Sequence, residues 1–169
     1  MANTYEPIAT QTLGSAAATV TFSSISGNYT DLILVCAARS ATASTSDTYL
    51  MTFNGLTTSI YSRTRLLGTG SAASSAGRTS APNIDFEGLA GNTSASGTFT
   101  IGKVQVQNYS SSTTYKTSLI RGDDANNYVL ATAGLFASTA AITSISLATS
   151  STSNFMTGST FTLYGIKAA

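Results

Sequence analysis

Asp85 and Glu87 are the first residues in this sequence whose types and spacing could do chemistry. Side chains two apart on a strand face the same side. Two carboxyl groups so placed could supply the acid and the base of glycoside hydrolysis. The competing reading is a solvated strand face, or carboxylates that partner Arg63 and Arg65. The chain has no histidine. That removes the commonest general base and metal ligand together, along with Ser-His and Cys-His nucleophile pairs. Zinc would have to use one cysteine and carboxylates, a poor set. No glycine-rich phosphate loop precedes a helix. Asp123-Asp124-Ala125-Asn126-Asn127 packs oxygen ligands closely, and Asp123, Asp124 and Asn126 are candidate calcium ligands. Asp and Asn are also ordinary turn formers, and the EF-hand spacing is absent. These residues lead us to expect neither catalysis nor a cofactor.

Contact chemistry is better represented. Tyr61, Arg63 and Arg65 share one face of a strand, and Tyr109, Tyr115 and Tyr128 fall at strand ends or beside turns. Exposed Tyr makes contacts at low entropic cost, so these six are the candidate binding or interface residues. The alternative is packing at the sandwich edge with the hydroxyl in water. Arg121-Gly122-Asp123 is an RGD tripeptide, and Asn28, Asn92 and Asn108 each open a glycosylation sequon. A chain this rich in Ser and Thr generates such sequons freely. The single Cys36 lies in an apolar run and is expected to pack as a small hydrophobe.

The elements that must position these residues are strands. Hydrophobic residues make up 42% of the 169-residue chain, but charged ones only 9%, far below the usual quarter. Ser and Thr fill the gap, at roughly a third of the chain. Helix-favouring Glu, Lys, Gln and Arg are scarce, while Thr, Val, Ile, Tyr and Phe suit a pleated, half-buried surface. Residues 18–22 alternate strictly, 31–39 are apolar on both faces, and Asn54-Gly55 marks a turn. Altogether about ten short strands follow one another between Gly, Ser, Asn and Asp. Residues 68–81 read as a long polar loop. In 97–109, Phe99 and Ile101 share one phase and Val104 and Val106 the other, which predicts a bulge near Gly102. The expectation is one all-β domain over 1–169, an antiparallel, jelly-roll-like sandwich. Segment 1–7 stands out as an arm for inter-subunit contacts. The net charge of +1 and the lack of a basic cluster give no case for nucleic acid. No apolar run reaches membrane-span length, and residues 1–7 do not read as a signal peptide.

Several stretches in order carry a resemblance. Met1-Ala2-Asn3-Thr4-Tyr5 is followed by Gln11-Thr12-Leu13-Gly14-Ser15, Val20-Thr21-Phe22-Ser23-Ser24-Ile25 and Tyr29-Thr30-Asp31-Leu32. Phe53-Asn54-Gly55, Asn108-Tyr109, Ala133-Gly134-Leu135, Ala141-Ile142-Thr143-Ser144-Ile145 and Leu163-Tyr164-Gly165-Ile166 come later. Together they resemble a family of small virion proteins of tailed bacteriophages, common among phages of aquatic bacteria such as cyanobacteria. The resemblance implies a virion component assembled in the bacterial host cytoplasm. It leaves two places open. One is the capsid, as a decoration (cement) protein bound to the major capsid protein or other virion proteins, as a homo-oligomer with a trimer favoured. The other is the tail, as a fibre or receptor-binding module for host glycans. It transfers no catalytic residue.

Overall fold

The structure, a computed structural model, describes residues 4–124 and 127–167. Twelve strands run in chain order. They are β1 (Tyr5–Thr12), β2 (Thr19–Phe22), β3 (Asp31–Ala38), β4 (Ser46–Phe53), β5 (Tyr61–Gly68) and β6 (Ala73–Ala81). They continue as β7 (Ile84–Ala90), β8 (Thr100–Gln107), β9 (Lys116–Asp124), β10 (Tyr128–Phe136), β11 (Ile145–Thr149) and β12 (Thr160–Ile166). No helix occurs among the described residues. The pairings between these strands are all antiparallel, in an eight-stranded sheet β1-β12-β3-β8-β9-β10-β5-β6 and a four-stranded sheet β2-β11-β4-β7. The fold is an all-β sandwich. Its sheets of eight and four strands stand where a jelly roll would divide eight strands between two sheets.

Alternation explains the core. Leu32, Leu34 and Cys36 of β3, Val104 and Val106 of β8, and Phe161 and Leu163 of β12 point inward from the large sheet. Tyr49, Met51 and Phe53 of β4 and Ile145 and Leu147 of β11 meet them from the small one. Tyr49 stacks on Phe86 with ring centroids 4.7 Å apart, and Phe53, Tyr61 and Phe136 form a second aromatic group. β7 lies across β8, β9, β10 and β5 and is buried along almost its whole length. It comes so close to β9 that a Cβ on Gly122 would sit 2.6 Å from the Glu87 carbonyl oxygen. Gly88, directly opposite, has φ +103°, which a side chain would strain.

Two sequence expectations are corrected. Residues 73–81 form β6 and not loop, because β5 offers a strand edge that small polar residues can pair with as well as apolar ones. No bulge occurs at Gly102: β8 pairs with β3 in unbroken register, and Ile101 simply faces out. Bulges lie instead at Pro7/Ala9, Asp47/Thr48 and Tyr61/Arg63. Tyr5, Glu6 and Pro7, part of the segment expected as an arm for inter-subunit contacts, belong to the edge strand β1 and pair with Ile166, Gly165 and Tyr164. Met1 to Asn3 lie outside the described residues.

Candidate interaction surface

The carboxylate pair of β7 is engaged by cations. Arg63 grips Asp85 through Nε and Nη2 at 2.9 and 2.6 Å, and Arg78 reaches the other oxygen at 2.9 Å. Arg65 pairs with Glu87. The reason is register: Asp85 and Glu87 point from β7 toward the face of β5 that carries Arg63 and Arg65. Burial alone would raise the pKa of Asp85, but hydrogen bonds and charge from Arg63 and Arg78 outweigh it and hold the carboxyl below its ordinary value. Such a group stays ionised and makes a poor general acid. The sign for stability follows. A carboxyl with a lowered folded-state pKa stabilises fully above its unfolded pKa of about 3.9, and that contribution is lost as pH falls through the folded value. Urea unfolding from about pH 5 down to about pH 2 should therefore show a steeper loss of stability in the wild type than in Asp85→Asn.

The tyrosines divide. Tyr61 and Tyr109, candidate contact residues from their positions, are fully buried. The Tyr61 hydroxyl accepts the Phe53 N–H at 2.9 Å and donates to the Leu56 carbonyl at 2.9 Å, closing the turn after β4. Tyr109 donates to the Ser26 carbonyl and accepts the Tyr29 N–H at 3.3 Å. Both rings fill core volume while the hydroxyl finds loop backbone, so neither is available to a partner. Tyr61→Phe should cost about 1–2 kcal/mol of unfolding free energy, because it strands a buried donor and acceptor. Tyr128 is half-buried and accepts the Gly88 N–H at 3.1 Å. Arg63 and Arg65 serve the internal ion pairs. Of the six candidates only Tyr115 stays open, at 57% exposed.

Asp123 and Asp124 do not converge. They are consecutive residues of a strand, so Asp123 is exposed on the outer face while Asp124 is buried, with Oδ2 accepting from Asn127 Nδ2 at 2.6 Å. Asn126 lies outside the described residues. Among the described residues no three His, Cys, Asp or Glu side chains gather around a common point. Cys36 is buried in the core, and burial pushes its thiol pKa up.

Two buried cations were not legible as site residues. Arg39, only 6% exposed, donates to the carbonyls of Asn92, Ser94, Ala95 and Thr98 at 2.8–3.4 Å. Lys116 donates to those of Thr114, Ser138 and Thr139 at 2.7–3.3 Å. Each takes the place of a small ion inside a loop. With Arg63, Arg65, Arg78 and Lys167 in ion pairs, six of the eight Lys and Arg residues have internal partners. Lys103 and Arg121 are the other two. They oppose each other across β8 and β9 on the outer face of the large sheet, and among the described residues neither makes an ion pair or a side-chain hydrogen bond.

That outer face is the candidate site. Leu66 (64% exposed), Val129 (63%), Ile101 (54%) and Leu119 (53%) project from it, with the exposed Ala131 and Ala133 between them. Sheets that face water usually carry polar side chains on that side, and contiguous exposed apolar area marks interaction surfaces. Only Lys103, Arg121 and Asp123 bring charge to this part of the face.

The chain matches no family model, no curated protein and no solved structure.

Proposed function

We propose that this protein is a structural component of a tailed-phage particle, acting by binding and not by catalysis. Its leading place is on the outside of the assembled capsid, as a decoration protein that contacts the major capsid protein or its neighbours as an oligomer. One observation carries the reading: the candidate chemistry is engaged inside the fold, while a broad sheet face, largely apolar with three charged residues, is left open to association. Charge is what usually keeps sheets apart, so such a face suits many copies docked side by side. The resemblance to small virion proteins points the same way. A protein that binds only the assembled shell stabilises it by mass action. Particles stripped of the protein should lose DNA on heating sooner than complete ones, and adding it back should restore them. Equal survival would sink the reading.

The tail reading rests on Tyr115, the one candidate tyrosine that remains exposed. Binding on a glycan array that disappears in Tyr115→Ala would favour it over the capsid.

A further inference from the structure

We infer that the outer face of the eight-stranded sheet is a two-fold contact between copies of this chain, centred on Gly122, in which Arg121 of each copy pairs with the partner's Asp123. The residues on this face form rows set by the strand register. Asp123, Val129 and Gly68 form one row across β9, β10 and β5; Arg121, Ala131 and Leu66 form the next. A two-fold axis lying between two such faces, perpendicular to β9 and crossing it at Gly122, sets each row over the other. In an isologous contact of this kind, if residue i meets j, then j meets i. Arg121 then faces the partner's Asp123, Leu66 faces the partner's Gly68, and Val129 faces the partner's Ala131. Cation meets carboxylate on β9 and large meets small on β10 and β5, while on β8 Lys103 faces the partner's Ile101.

The charges on this face are otherwise unexplained. Lys103 and Arg121 are directly opposed across two strands, an arrangement that costs stability when nothing offsets it. Among the described residues neither forms an ion pair with a carboxylate. Asp123 is held on the face by the Ile101 N–H, which its Oδ1 accepts at 3.1 Å. A second copy supplies what is missing: the partner's Asp123 comes over Arg121, one strand from Lys103. The Arg121-Gly122-Asp123 tripeptide thereby acquires a role. Its glycine admits β7 from within, and its two charged residues recognise their own kind outside.

Analytical ultracentrifugation of the full chain tests the contact. The wild type should be a dimer. Arg121→Asp alone and Asp123→Arg alone should each weaken association at least about tenfold, as expected for a close interfacial charge pair. The double variant, with the charges exchanged, should dimerise again. A wild-type monomer or trimer overturns the proposal. So does a dimer indifferent to the single changes, or a double variant that stays monomeric while unfolding at the wild-type temperature. Should the double variant unfold early, Leu66→Lys decides, since Leu66 is exposed: loss of the dimer supports the contact and its persistence overturns it. The readout is association in solution, so its failure is separate from failure of the particle reading.

Discussion

Replacing Arg39 by methionine should lower the unfolding free energy by about 3 kcal/mol, because several carbonyls lose a charged donor where water reaches poorly. For a chain of this length that is a fall of roughly 6–12 °C in Tm, read by thermal unfolding. The four carbonyls belong to residues 92, 94, 95 and 98, so the segment between β7 and β8 should lose order with them. Faster amide exchange confined to that segment would locate the damage. Arg39→Lys should recover only part, since an ammonium has three donors and lacks the planar fork. A methionine variant as stable as the wild type would show that water replaces the guanidinium at no cost.

Gly122→Ala should be as damaging, at about 3 kcal/mol in urea unfolding, although it adds one methyl group. The new Cβ would stand 2.6 Å from the Glu87 carbonyl oxygen. The obstacle is backbone of β7, which is paired to β4 and packed against the large sheet, and overpacking of that kind is relieved only by moving the strand. Gly102→Ala is the control, because its Cβ would meet Phe86 and Tyr49 at the ordinary contact distances of 3.5 and 3.6 Å. That variant should lose less than about 1 kcal/mol. Equal losses at the two positions would mean that the close crossing of β7 over β9 is not what requires glycine.

Much of this architecture was legible because alternation is a strong signal. The strict pattern around Val20 and Phe22 and the apolar run of β3 placed their strands correctly, and the two-residue spacing of Arg63/Arg65 and Asp85/Glu87 anticipated the pairing across the sandwich. Where the reading went astray, one assumption failed: that apolar residues point in and polar ones out. Ile101 points outward, and a bulge was inferred to bring it in. β6 carries almost no apolar residue, so it looked like loop, yet the edge of β5 required only a backbone. Tyr61 and Tyr109 looked like surface contacts because they flank turns, but their hydroxyls reach loop backbone from within the core. Arg39 gave one weak sign, a lone cation just past a strand, β3, whose inward residues are apolar. Apart from Thr114, the acceptors of Arg39 and Lys116 are carbonyls of distant loops, which sequence spacing does not encode.

The strand order also constrains how the chain is made. β12 lies between β1 and β3, and β11 between β2 and β4. β1 and β2 therefore have no partner strand until β12 and β11 are synthesised. For most of translation β3 and β4 each present a bare edge, and such edges invite pairing with other chains. Because its closing contacts join opposite ends of the sequence, the sandwich belongs among the slow folders, on the millisecond-to-second scale. Chains released before Ile145 lack both closing strands. Soluble yield should therefore depend more on completing translation and on holding nascent chains apart than on the stability of the finished fold.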